Sequence, residues 1–141
     1  MASSKTIDPV EVKYASDPSI CAPIRLTTEA MATKVGFDEE AVAKLGLCVN
    51  EAVANVIRHA YGNRHDQPVI FCARPIDRGL EITLRDWGNG VDPSKLPEKP
   101  HDPYKPGGLG LICLRQMLDY CHFEKQPDGG ILLTMRKILP P

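Results

Sequence analysis

A glutamate and an asparagine stand four residues apart in Asn50-Glu51-Ala52-Val53-Ala54-Asn55. On a helix, that spacing puts Glu51 and Asn55 on one face. A carboxylate so placed can take a proton from a hydroxyl or water, and a carboxamide oxygen one turn away can ligate a hard cation such as Mg²⁺. Further along, Asp86-Trp87-Gly88-Asn89-Gly90 joins an acid to two glycines. Asp86 can accept hydrogen bonds from a ligand such as an adenine amino group, while Gly88 and Gly90 let that ligand come close to the backbone. The third segment, Gly107-Gly108-Leu109-Gly110-Leu111, is a glycine loop that opens a helix. Its backbone N–H groups and the helix N-terminus make an anion cradle suited to a triphosphate. In this order the three segments describe a site for ATP and Mg²⁺.

Each segment is weak alone. Two glycines flanking one residue are expected by chance roughly 0.7 times in a chain of this length. An E-x-x-x-N pair equally fits a solvated helix face, and D-x-G equally fits an ordinary turn with Trp87 and Asn89 as packing and turn residues. Order and context set the three segments apart from chance. The glycine loop is not a P-loop, because no G-K-[ST] follows it and no strand immediately precedes it. It is not a Rossmann fingerprint either, since it comes late and after a proline-rich stretch. Lys105, just before the glycines, is placed to reach the β- or γ-phosphate, although a solvated lysine fits the position as well.

These residues need elements to hold them. Val10 to Ala15 reads as an opening strand, and Asp17-Pro18 as a helix start. The helix that follows runs to about Val35, with Ile20, Ile24, Ala30, Met31 and Val35 as its apolar face and Gly36 at its C-terminal stop. Asp38 caps a longer helix reaching about Tyr61. Its stripe is Leu45, Val49, Val53, Val56, Ile57 and Ala60, with Glu51, Asn55 and Arg58 displaced toward another side. Pro68 to Arg74 and Leu80 to Arg85 read as an antiparallel pair ending at Asp86. Val91 to Pro106 holds five prolines among charges and reads as a mobile surface loop. A helix from Leu111 to Tyr120 comes next, then strands Cys121 to Gln126 and Ile131 to Lys137 about the hairpin signal Pro127-Asp128-Gly129-Gly130. The sum is α+β: a two-layer α/β sandwich, its sheet mixed but mainly antiparallel and packed on about three helices, in one domain over residues 1–141.

Composition narrows the function classes. The 141 residues are 43% hydrophobic, with 17 basic against 18 acidic side chains and a formal net charge of −1. Such a balance gives no push toward nucleic acid or an acidic membrane. The five cysteines are scattered without metal-ligand spacing and read as reduced, mostly core thiols. No apolar run is long enough to span a membrane and no leader-like segment opens the chain, so the expected location is the cytoplasm.

The ordered set resembles the GHKL, or Bergerat-fold, ATP-binding superfamily, which includes the ATPase domains of histidine kinases and type II topoisomerases. Glu51 and Asn55 match its N box, Asp86-x-Gly88-x-Gly90 its G1 box and Gly108-x-Gly110 its G2 box. Asn50 to Tyr61, the short proline-bearing lid at about 91–107 and Gly107 to Leu111 are most similar to the small bacterial anti-sigma-factor serine/threonine-protein kinases. The likeness extends from about Ile20 to Ile138. It implies a cytosolic homodimer that binds ATP and Mg²⁺, phosphorylates a Ser or Thr of a STAS-domain anti-anti-sigma protein and in its other state holds a sigma factor. By position, Glu51 would be the catalytic base, Asn55 the Mg²⁺ ligand and Asp86 the adenine reader. Gly88, Gly90, Lys105, Gly108, Leu109 and Gly110 would be the nucleotide contacts. One departure stands out: many relatives carry a threonine directly after the last hairpin's glycine, where this chain has Ile131, with Thr134 three residues on.

A kinase is one reading. Another is a nucleotide-gated binding module that holds ATP and a protein partner without transferring phosphate; loss of Glu51 would favour it, and Glu51 is present. A detached histidine-kinase domain fits less well, because no phosphoacceptor helix accompanies it and His59 sits on the nucleotide helix.

Overall fold

Local chemistry starts each helix where the sequence expects it. In the computed structural model, which describes residues 6–89 and 116–141, Asp17 accepts a hydrogen bond from the Ser19 N–H at 2.8 Å and Pro18 opens a 3₁₀ turn, Pro18–Ile20. Helix α1, Cys21–Val35, continues directly from it and stops at Gly36, whose N–H bonds the Ala32 and Thr33 carbonyls. Asp38 caps helix α2, Glu39–Asn55, by accepting from the Ala41 N–H at 2.8 Å, and Glu39 and Glu40 lie in its first turn, where the helix dipole favours acids. After Asn55 the helix does not run on as α to Tyr61. It widens into a π-helical turn over Val56–Ala60, closed by the Tyr61 N–H on the Val56 carbonyl at 3.1 Å.

The strands are β1 (Val10–Ala15), β2 (Pro68–Ile76), β3 (Gly79–Arg85), β4 (Tyr120–Lys125) and β5 (Ile131–Ile138). They form one sheet in the order β1-β2-β3-β5-β4, and every pairing among them is antiparallel. Strand β3 is central, so the chain leaves the middle of the sheet at Arg85 and enters residue 86 there. The α+β two-layer sandwich is therefore as the sequence predicts, but the sheet of the described residues is wholly antiparallel rather than mixed, because each neighbouring pair of strands runs in opposite directions. Of the third predicted helix, residues 111–115 lie outside the described residues; Gln116 and Met117 are helical, and Tyr120 already belongs to β4.

Period-two burial fixes the register. Val69, Phe71 and Ala73 on β2, Leu80, Ile82 and Leu84 on β3, and Leu133 and Met135 on β5 face the helices and are buried. They meet Ile24, Met31 and Ala32 of α1 and Leu45, Val49, Ala52 and Val53 of α2 in one core. A one-residue slip of β3 would exchange that row for Glu81, Thr83 and Arg85. Each large apolar side chain buried here is worth about 1.5–3 kcal/mol, so the slip is strongly disfavoured. Two expectations are corrected. Ala30 is exposed, and Thr28 takes the buried place on α1, its hydroxyl satisfied by the Ile24 carbonyl at 2.9 Å. Of the four described cysteines only Cys48 is buried; Cys21, Cys72 and Cys121 are half-buried, and none is in a disulfide.

On the opposite face Glu81 is buried between two arginines, accepting from Arg74 Nε and Arg136 Nε at 2.7 Å each. The three residues are cross-strand neighbours on β2, β3 and β5. The pairing, first with Arg74, holds the Glu81 carboxyl below its ordinary value against the opposing effect of burial. No helix among the described residues is long and apolar enough to cross a membrane.

Candidate functional site

Glu51 and Asn55 occupy the last turn and a half of α2. The sequence places them off the core stripe, and they are absent from the apolar cluster, yet both are buried, at 7% and 9% exposure. Their oxygens converge: one guanidinium nitrogen of Arg58, Nη2, lies 3.3 Å from both Glu51 Oε1 and Asn55 Oδ1. Arg58 stands in the π-helical turn. Such widenings of a helix recur at functional sites because they re-aim side chains that regular α geometry would space differently. Asn55 Oδ1 is a hard neutral oxygen of the kind that suits a hard cation retaining several waters, and Glu51 Oε1 is a second acceptor beside it.

Asp86 directly follows the central strand. Its N–H bonds the Ile131 carbonyl at 3.0 Å, and its Oδ1 accepts from the Gly88 N–H at 3.0 Å. The side chain is buried, at 4% exposure. Burial raises its pKa, opposed by the Gly88 and Ile131 backbone N–H groups and by the charge of Arg85. Among the described residues no side chain bonds this carboxylate. An additional donor, such as an exocyclic amino group, would stabilise its ionised form.

Helix end and strand end are joined by close backbone approach. A Cβ at Gly88 would overlap the Ala60 carbonyl group, and one at Gly130 would overlap the Asp86 carbonyl and the Trp87 Cα. These two positions admit only glycine for steric reasons. Tyr61 supplies a second tie: its buried hydroxyl donates to the Pro68 carbonyl at 2.5 Å and accepts from the Trp87 N–H at 2.7 Å. Burial is the main cause that raises the Tyr61 pKa, so the phenol stays a neutral donor.

Of the predicted site residues, Glu51 and Asn55 converge on Arg58 near the end of α2, while Asp86 and Gly88 form the turn after β3 that packs against Ala60. Gly90, Lys105, Gly108, Leu109 and Gly110 lie outside the described residues. Sequence reasoning assigned no role to Arg58 or Tyr61. Arg58 follows Asn55 by three residues, a helical-face spacing that could have singled it out; Tyr61 gives no comparable signal, since its hydroxyl bonds only main-chain groups, at Pro68 and Trp87. His59, beside Arg58, is exposed. A separate cleft of about 360 Å³ is lined by Phe37, Asp38, Lys44, Asp119 and Lys137 at the start of α2 and includes none of these site residues.

Comparison with known proteins gives a consistent family signal. The model of the histidine kinase-like ATPase domain matches residues 14–137. The serine-protein kinase RsbW of Bacillus licheniformis is 31% identical over 147 residues, spanning 96% of this chain and 88% of that one. The protein of the same name from Oceanobacillus iheyensis is 26% identical over 140 residues, spanning 94% and 87%. Among solved structures, the RsbU and RsbW domains of a Mycobacterium tuberculosis protein superpose with a TM-score of 0.69 at 15% identity, covering 96% of this chain and 34% of that one, which is a likeness of fold.

Proposed function

Because the chain belongs to the histidine kinase-like ATPase domain family, we propose that it is an ATP-dependent serine/threonine-protein kinase of the anti-sigma-factor type. Its substrate is a Ser or Thr of a STAS-domain anti-anti-sigma protein, and in its other state it holds a sigma factor. It acts as a cytoplasmic homodimer. The name serine-protein kinase carried by relatives along most of their length supports the activity. The observation that carries the reading is the convergence of Glu51 Oε1 and Asn55 Oδ1 on one cationic nitrogen, in a fold that also buries the Asp86 carboxylate directly after its central strand.

In this reading each residue has one task. Asn55 offers its carboxamide oxygen to Mg²⁺, which when bound neutralises phosphate charge as the phosphoryl group moves. Glu51 accepts the proton of the partner's hydroxyl as that oxygen bonds the γ-phosphorus and ADP leaves. Asp86 accepts from the adenine amino group and so selects adenine. Gly88 holds the turn of Asp86 against the end of the nucleotide helix. Gly90, Gly108, Leu109, Gly110 and Lys105 complete the nucleotide contacts.

The test is incubation of the purified protein with Mg²⁺, γ-labelled ATP and STAS-domain proteins of the same genome. Label appears on a partner Ser or Thr, and Glu51→Ala removes it while ATP still binds. Measurable ATP binding with no transfer to any such partner would overturn the kinase in favour of a nucleotide-gated binding module.

A further inference from the structure

The carboxylate of Asp86 takes its hydrogen bonds from backbone N–H groups, those of Gly88 and Ile131. Ile131 has no side-chain donor to add. The aim of the carboxylate therefore depends on where the main chain of residues 85–88 and of the β4–β5 hairpin is held. Both residues flanking Asp86 are tied to that hairpin by one carboxylate. Arg85 Nη2 bonds Asp128 Oδ1 at 2.7 Å, and Trp87 Nε1 bonds Asp128 Oδ2 at 3.3 Å. Arg85 Nη1 also donates to the Gly129 carbonyl at 2.8 Å and to the carbonyl of Asp86 itself. Its guanidinium lies over the Trp87 ring, 4.3 Å from the centroid. Trp87, read from sequence as packing, is part of this cluster.

We propose that Arg85, with Asp128 and Trp87, is a positioning residue for base recognition, fixing the main chain so that the Asp86 carboxylate meets an adenine amino group. The Arg85 side chain is 13% exposed and that of Asp128 70%. The ion pair is thus half-sunk, and its arginine is the ordered partner. A planar guanidinium serves here where an ammonium would not, because it satisfies two carbonyls and a carboxylate while stacking on an indole. Arg85 reaches the base through Asp86 and touches no reacting atom. The inference rests on the assignment of Asp86 to adenine.

The experiment compares ADP with IDP, which differs at the purine 6-position, for wild type, Asp86→Asn, Arg85→Met and Asp128→Asn. Binding is read by calorimetry and folding by circular dichroism. Wild type prefers ADP. Arg85→Met loses this preference by roughly tenfold, the order of one misplaced hydrogen bond, with a smaller change in IDP affinity. Asp128→Asn, an exposed hairpin change that the fold tolerates, moves the preference the same way, and Arg85→Lys does not restore it. The emission of Trp87, the only tryptophan, shifts in Arg85→Met and Asp128→Asn as the ring loses a partner, and not in Asp86→Asn. If Asp86→Asn removes the preference while folded Arg85→Met and Asp128→Asn retain it, the positioning role is overturned and the adenine assignment stands. If Asp86→Asn retains it too, the assignment of Asp86 fails and the positioning role fails with it.

Discussion

Arg58 reaches back along its own helix to Glu51, seven residues earlier, with Nη2 3.3 Å from Oε1. The Glu51 side chain is only 9% exposed while that of Arg58 is 42% exposed, so the base candidate is the fixed member and the arginine the adjustable one. This asymmetry separates the charge of Glu51 from its shape. Glu51→Gln keeps an oxygen to accept from Arg58 but cannot take a proton at neutral pH. Folding and ATP affinity stay close to wild type, and phosphotransfer falls by about 10²–10⁴, the usual worth of a general base. Thermal unfolding, nucleotide titration and single-turnover transfer measure the three quantities. Transfer at the wild-type rate would remove Glu51 from the chemistry.

Asp86 predicts a pH dependence whose sign follows from burial. Its folded pKa is raised, so the carboxyl stays protonated to a higher pH than a free aspartate. The ionised form is the better acceptor for an adenine amino group, hence ADP affinity declines on acidification already above the ordinary aspartate range. Stability runs the other way. With the folded pKa above the unfolded one, the penalty of burying the charge is absent below the unfolded value and complete above the folded one. Asp86→Asn therefore gains stability relative to wild type as pH rises, while ADP affinity drops roughly 10- to 100-fold, the range for a hydrogen bond to a charged group. Parallel denaturation and ADP titrations across pH check both. A pH-independent stability difference would contradict the raised pKa.

Adjacent glycines of the last hairpin supply a controlled pair. Gly129 has φ +100° with open space around a would-be Cβ, whereas Gly130 has φ +76° and meets the backbone of Asp86 and Trp87. Gly129→Ala costs only the backbone preference, about 1–2 kcal/mol. Gly130→Ala adds a clash with main-chain atoms that cannot swing aside, about 1–3 kcal/mol further, and it displaces Asp86. Chemical denaturation gives the difference. ADP affinity drops for Gly130→Ala and holds for Gly129→Ala; equal behaviour of the two would show that the close approach is not needed.

Away from the site, Glu81 offers a test of the sheet's outer face. Its folded pKa is lowered, chiefly by the Arg74 hydrogen bond. A depressed carboxylate stabilises the fold above its unfolded pKa and loses that contribution as pH falls through the folded one. Glu81→Gln is accordingly less stable than wild type at neutral pH, and the two curves converge as acid protonates Glu81 below the ordinary glutamate range. Urea midpoints measured from neutral to acidic pH would show the convergence, and a constant gap would refute it.

Much of the architecture is legible in local chemistry. Asp17-Pro18 and Asp38 are short-range signals whose physics is complete within four residues, and they place the starts of the helical segments correctly. Strand β1 has the predicted bounds, because alternation over six residues needs no distant partner to be visible. The bounds of β3 and β4 move by a residue, and β2 extends to Ile76, where pairing with Gly79 shortens the turn. The end of α2 is different in kind. Nothing in Val56–Ala60 distinguishes a π-helical turn from regular helix; the turn ends where Ala60 lies against Gly88 and Tyr61 bonds Pro68 and Trp87.

The sequence by itself determined the alphabet of the site. Glu51 and Asn55 share a face by helical period, and Asp86 ends a strand whose alternation is visible; Gly88, expected to let a ligand approach the backbone, lies against the Ala60 carbonyl instead. It also determined α+β, because apolar periods of 3.6 and 2 compel one layer of helix on one of sheet. Tertiary structure alone decided that Glu51 and Asn55 are buried rather than solvated. It alone set the Arg85, Trp87 and Asp128 cluster beside Asp86. Those relations join segments up to 43 residues apart, as Arg85 and Asp128 are. No local propensity encodes which distant surface will cover a given polar side chain, and that is settled only when the sheet closes on the helices.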